Sequence, residues 1–283
     1  MPPLLSYRLI AIVFGQIGST RSDETRPVIL RRTQGGVLCI EQADHAALAG
    51  QLARAWGNDR FGEPTPREAL ELAAERHDDG MREFDRSPGL DPATGLPYTY
   101  LTMPRDAHMS AWKRGTRAVA ELSPYAGVIV SLHRSELLER HRRSWWRALL
   151  DRTNRAQLRW QSKLRAQLLG RLRQDPSWAE FATAAALDGN RRLLRTWDRL
   201  SLNLCLPDLP GVLRGVPAAD GSLDLTVREG DGTVVVAPWP FAAETVEVET
   251  QGRLLEGRFD REEEMHAALA AAPVHRLSFA LRR

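Results

Sequence analysis

Cysteine is almost absent from this 283-residue chain: only Cys39 and Cys205 are present, far apart. That count implies neither a disulfide framework nor a cysteine-based zinc site. Long apolar runs are missing as well, and none approaches the roughly 20 residues that a bilayer-spanning helix needs. The apolar stretch "LLSYRLIAIVF" near the start has no charged leader and no small-residue cleavage site, so it does not read as a secretory signal. No membrane association is expected, and a cytoplasmic location is the default. There is no internal repeat and no low-complexity tract.

Net charge is small, +3, but it is unevenly spread. Between Arg134 and Arg173 there are twelve Lys or Arg against three acids, Glu136, Glu139 and Asp151. Such an excess can gather a small anionic substrate or nucleic acid. Trp145, Trp146 and Trp160 interleave with these arginines, which suits stacking on bases and equally suits packing between helices. A long solvated helix face is the plainer reading.

The apolar pattern divides the chain. Residues 1–26 read as a loose extension. "PVILRR" and "VLCI" flank "TQGG", so Pro27 to Ile40 reads as a short hairpin. Helical periodicity then dominates. Helices are expected over about Gln42 to Trp56, from Thr65 to the Asp79-Gly80 pair, from Asp106 to Leu122, and from Pro124 past His133. A long basic helix and a last one, Asn190 to Cys205, follow. Thr65 and Glu68 have capping-box spacing around Pro66. "SPGLDPATGLPYTY" is dense in Pro and Gly and reads as loop. After "LPDLPG" the period changes to two in "SLDLTV", "TVVVA", "ETVEVET" and "LSFAL". The expected fold is therefore mainly α. A short hairpin and a helical domain fill 27–206, almost wholly helical from 42, and a small antiparallel β region, 207–283, packs on it. The early hairpin is a candidate partner for that sheet, and "PWPF" should pack against the helices.

Six polar residues fall on the apolar faces of these helices. His45 shares a stripe with Ala49, Leu52 and Trp56, and His77 with Leu70 and Ala73, while Asp78 sits over Ala74. His108 aligns with Ala111, Trp112 and Val119, His133 with Ala126, Ile129 and Val130, and Asp198 with Leu194, Leu202 and Cys205. Buried imidazoles and carboxylates are costly unless something satisfies them, and a shared divalent metal satisfies all six together. His141, His266 and His275 lack such a setting.

The order His45, His77-Asp78, His108, His133, Asp198 resembles the H…HD…H…H…D signature of the HD-domain metallohydrolase superfamily, over about Gln42 to Cys205. The segments "QADHAALAGQLARAWG", "HDDGM", "LDPATGLP", "SLH", "WDRLSLNLC" and "PWPF" are also similar to a family of bacterial proteins known as a domain of unknown function. The superfamily resemblance implies an HD-like helical bundle. It assigns His45, His77, Asp78 and Asp198 to a first ion, and His108 and His133 to a second, with Asp78 bridging. One or two Mn, Fe, Co or Zn ions suit these donors. Many such relatives read HDxGK, with the lysine on the substrate, whereas this chain has Met81 there. Arg82, Lys113 or Arg114 are the alternative sources of positive charge, and Asp79 is the candidate general base.

The expected function is metal-dependent hydrolysis of a phosphoester. A di-iron oxygenase of the same ligand type, and a non-catalytic binding protein for nucleic acid or an acidic partner, are the alternatives.

Overall fold

The computed structural model describes residues 27–141, 152–206, 211–230 and 232–283. The expected loose extension, Trp145 and Trp146 therefore lie outside the described residues. Strands β1 (Pro27–Thr33) and β2 (Gly36–Ile40) form the expected hairpin, with Ile29 opposite Ile40. It is followed by α1 (Gln42–Ala55) and α2 (Arg67–Arg76). A single 3-10 turn (Asp79–Met81) and the short α3 (Arg82–Asp85) come next. Then come β3 (Leu90–Asp91), β4 (Leu96–Thr99), α4 (Arg105–Leu122) and α5 (Pro124–His141). Helices α6 (Arg152–Leu172), α7 (Pro176–Ala179) and α8 (Ala184–Cys205) complete the helical layer. The rest is β5 (Val212–Ala218), β6 (Gly221–Gly230), β7 (Thr233–Ala237), β8 (Thr245–Leu255), α9 (Glu262–Ala271) and β9 (Val274–Arg282).

The expectation of a mainly α fold, an HD-like bundle with a small β appendage, is overturned. Nine strands form one mixed sheet in the order β3-β4-β1-β2-β8-β9-β7-β6-β5, and the fold is mixed α/β. Two pairings tie the first hairpin into this sheet, one to the late strands and one to β4. Antiparallel pairing sets Val37 opposite Leu255 between β2 and β8, and β1 runs parallel to β4 with Val28 opposite Thr99. The stretch "SPGLDPATGLPYTY", expected as loop, is a hairpin. Asp91 turns it by accepting Thr94 and Gly95 amides on its carbonyl and the Ala93 amide on its side chain. Its strands are too short to show period two, so the turn residues dominate the local pattern.

Smaller expectations also change. The residue before α2 is Pro66, with no side-chain cap, so Thr65 and Glu68 form no capping box. Asp106 lies in the first turn of α4, after Pro104. Helix α8 starts well before Asn190, where the Thr183 hydroxyl accepts the Ala186 amide.

Helices and sheet are bound by specific contacts. The Gln51 amide on α1 donates to Glu249 O at 2.8 Å and accepts from Glu249 N at 2.9 Å, so it pairs with β8 as a neighbouring strand would. "PWPF" docks beside the end of α1. Gly57 N donates to Pro240 O, and Asn58 Nδ2 donates to the Trp239 and Phe241 carbonyls. The Trp56 ring meets Phe61, Phe241 and Trp197 edge-on, with centroids 5.6–6.0 Å apart, which fixes α8 against α1. Among the described residues no helix is long and apolar enough to cross a membrane.

Two local devices position the start of α1 and the "HDDG" turn. A Cβ on Gly80 would lie 2.0 Å from Ala111 O, and one on Gly115 would lie 2.6 Å from Gly80 N. Backbone therefore meets backbone where this turn crosses α4, and only glycine fits. At α1 the adjacent Glu41 offers no side-chain cap. Asp85 reaches across instead, and its Oδ2 accepts Ala43 N at 3.2 Å, leaving Oδ1 buried without a partner. Burial pushes the Asp85 carboxyl well above its ordinary value, against the lowering effect of the Gln42 and Ala43 amides.

Gly80→Ala should cost at least about 2 kcal/mol, because the backbone of α4 must move. Gly170→Ala, where nothing lies within 4 Å, should be neutral or stabilising by up to ~1 kcal/mol. Denaturant midpoints of the two variants test this, and equal midpoints would refute the close-approach account. A second outcome concerns pH. Since the folded pKa of Asp85 is raised, its contribution is full below the unfolded value of about 3.9 and is lost as pH rises through the folded value. Thermal midpoints of wild type should therefore fall relative to Asp85→Asn as pH increases above that point. Parallel profiles would show that the carboxyl ionises freely.

Candidate functional site

Four helical elements each bring donors to one buried point. His45 stands one turn into α1, His77 and Asp78 close α2, His133 lies on α5, and Asp198 lies on α8. His45, His77 and His133 are each 1% exposed and Asp78 is 7% exposed, so solvent does little to screen them. His45 Nε2 lies 3.1 Å from Asp198 Oδ1 and 3.7 Å from Asp78 Oδ2. His77 Nε2 lies 3.4 Å and 3.3 Å from the same two oxygens. One ligand atom each from His45, His77 and Asp78 falls within a 4.8 Å spread.

The other ring nitrogens decide which tautomers are present. His77 Nδ1 is 2.8 Å from Ala74 O, and a carbonyl only accepts, so this nitrogen carries a proton. Ser201 donates its only hydroxyl proton to Asp198 O at 2.9 Å. Its Oγ therefore accepts from His45 Nδ1 at 2.8 Å. Both imidazoles thus spend their Nδ1 protons on the supporting protein and, when neutral, turn Nε2 lone pairs toward two carboxylates. Like-signed electron density does not pack this way unless positive charge lies between. Metal-ligating histidines are held by the same pattern of outer hydrogen bonds.

Electrostatics within the centre agree. Burial opposes charge on His77, yet Asp78 and Asp198 raise its pKa to about 10. Those carboxylates call for a cation at Nε2, whether a proton or an ion. Burial also works against ionisation of Asp78, but Arg134, then His77 and His45, hold its carboxyl below the ordinary range. Asp198 is held well below its ordinary value against burial by His133, His45 and His77. For His133 burial prevails and its pKa falls.

Asp78 and Asp198 are each two-faced. Asp198 Oδ1 serves His45 and His77, while Oδ2 lies 3.3 Å from His133 Nε2. Asp78 Oδ2 serves the same two histidines, while Oδ1 accepts from Arg134 Nη2, which also donates to His77 O. The Arg134 guanidinium lies 4.5 Å over the Trp112 ring.

The remaining predicted residues are placed differently. The His108 ring lies 4.3 Å from that of Trp112. The oxygens of Asp79 are both engaged, one by Arg76 at 3.0 Å and the other by Arg82 at 2.8 Å. Arg82 is thereby committed to Asp79. Arg114 pairs with Glu83 at 3.2 Å and covers Phe84, and Lys113 is half-buried on α4. On α6, Arg152, Arg159, Lys163 and Arg171 are exposed, whereas Arg165 turns inward to Ser131 and Ser135. Arg117 covers the Trp160 ring.

Three residues escaped the reading of the sequence. Arg134 looked like the start of a solvated basic run, although it follows Val130 by four and precedes Leu138 by four, on the inward stripe. Ser201 follows Asp198 by one turn. Tyr100, just past β4, is raised by burial and then by Asp198, against the lowering effect of Arg199.

No curated protein and no solved structure matches the chain. The family described as "Protein of unknown function (DUF3891)" matches residues 28–257. That span contains all six predicted ligands and the Asp85, Arg134 and Ser201 supports, and it stops short of α9 and β9. On this match over most of its length, the chain belongs to the DUF3891 family.

Proposed function

We propose that this protein is a metal-dependent hydrolase of a phosphoester, with an HD-type centre that holds one divalent transition-metal ion. His45, His77, Asp78 and Asp198 would hold the ion. The observation that carries this reading is the pair of imidazoles whose Nδ1 protons are committed to Ser201 and Ala74, so that both Nε2 atoms face the Asp78 and Asp198 carboxylates. Mixed nitrogen and oxygen donors suit Mn, Fe, Co or Zn. Such an ion supplies Lewis acidity toward a phosphoryl oxygen and toward water.

The chain's own residues support this chemistry in distinct ways. Ser201 and the Ala74 carbonyl fix the imidazole orientations. His133 approaches the far oxygen of Asp198 and so fixes the rotation of that carboxylate. Arg134 engages Asp78 Oδ1 and puts a fixed positive charge on that face of the carboxylate, which favours one ion over two by like-charge repulsion. Asp79, clamped by Arg76 and Arg82, holds the "HDDG" turn and is not assigned as a base.

Elemental analysis of purified protein should find about one transition-metal ion per chain. His45→Ala and Asp198→Ala should lose it, and chelation should abolish phosphoesterase turnover. His133→Ala should keep the ion, with affinity weakened roughly 10–100-fold, as for loss of an outer partner. His108→Ala should leave the metal ratio unchanged. A wild-type chain that takes up no metal under saturating Mn, Fe, Co or Zn would sink the reading.

A further inference from the structure

We infer that Arg134 is a built-in second cation, occupying the face of Asp78 that another metal ion would take and using its unspent N–H groups to bind an oxyanion of the substrate. This rests on the one-ion reading above and deepens it. Arg134 is 4% exposed. Nη2 spends both of its protons, on His77 O and Asp78 Oδ1. Nε is buried without a partner, and no hydrogen bond from Nη1 is found among the described residues. The indole Nε1 of Trp112, whose ring lies under the guanidinium, is also buried and unpaired.

Every open group named here is a donor. A buried donor without an acceptor is costly, and a ligand that completes this set must be rich in acceptors. The charges lead to the same conclusion. A divalent ion and Arg134 together carry three positive charges, against two negative charges on Asp78 and Asp198. One negative charge from a ligand then neutralises the buried centre. Because the Asp78 carboxylate lies between the ion position and the guanidinium, an oxyanion can be held by both cations, one oxygen to each. Phosphate is the favoured class, since a planar guanidinium presents several donors in a fixed fork suited to it.

Calorimetric titration of inorganic phosphate into the zinc-loaded full-length protein tests this, with acetate as the carboxylate arm. Wild type should bind phosphate more tightly than acetate. Arg134→Met, compared at equal zinc occupancy of the His45 site, should bind phosphate roughly 10–100-fold more weakly. With Asp78 Oδ1 released, its zinc ratio should also rise above that of wild type in excess zinc. Arg134→Lys should recover part of the phosphate affinity, because it restores the charge without the fork. An unchanged phosphate affinity in Arg134→Met overturns the inference, as does a wild-type preference for acetate. If Arg134→Met does not fold, Arg134→Lys decides, and wild-type phosphate affinity in that variant overturns it. A wild-type chain that takes no zinc overturns the one-ion reading itself, and is seen before any phosphate is added.

Discussion

Two imidazole Nε2 atoms facing two carboxylates, one buried and one half-buried, set the terms for the rest of this structure. The arrangement is unfavourable by itself, because burial opposes charge on His77, Asp78, His133 and Asp198. It persists because each group is held from behind. Ser201 and the Ala74 carbonyl hold the histidines, Arg134 holds Asp78, and His133 holds Asp198. The supports come from α2, α5 and α8, so the centre exists only when those helices are docked in register with α1.

Register is where the sheet enters. Helix α1 bears His45 on one side, and through Gln51 it joins the backbone of β8 on the other. Its C-terminal end is tied to the "PWPF" segment, and Trp56 packs on Trp197, the neighbour of Asp198. Strand β8 and the "PWPF" segment therefore help set the distance between α1 and α8. The Gly80–Gly115 contact does the same for the "HDDG" turn and α4, with no side chain between to allow slippage. The site is helical in composition, yet its dimensions are set in part by the β layer.

This division explains what the sequence made legible. Inward placement of His45, His77, Asp78, His133 and Asp198 could be read from i, i+4 stripes, because a polar residue on an apolar stripe is conspicuous. His108 satisfies the same stripe, and its ring lies against Trp112. Periodicity reports which face is buried and is silent on what that face meets. The early hairpin could be offered as a partner for the late strands, as β2 and β8 prove, but the register, such as Val37 with Leu255, leaves no mark on local pattern. Residues 90–99 were hidden for the opposite reason: their turn chemistry outweighed strands only two and four residues long. Arg134 was masked by its neighbours. An arginine among arginines reads as surface, and only its spacing from Val130 and Leu138 marks it as buried.

The placement of Arg134 also bears on the departure at Met81. In the HDxGK pattern a lysine on the turn after the metal ligands carries the positive charge. Here that position is 1% exposed and packs with Phe84, Met109, Trp112 and Leu138. An ammonium there would have to be desolvated in an apolar cluster, at a cost that excludes it unless paired. Trp112 belongs to that same cluster, and its ring carries the Arg134 guanidinium. The cluster that has no room for a cation on the turn thus seats one arriving from α5. A guanidinium suits that seat better than an ammonium, because its flat, weakly hydrated face can lie on an indole while its edge still reaches Asp78. Unlike a second metal ion, it neither dissociates nor exchanges, so the charge beside Asp78 is fixed by folding and not by metal supply.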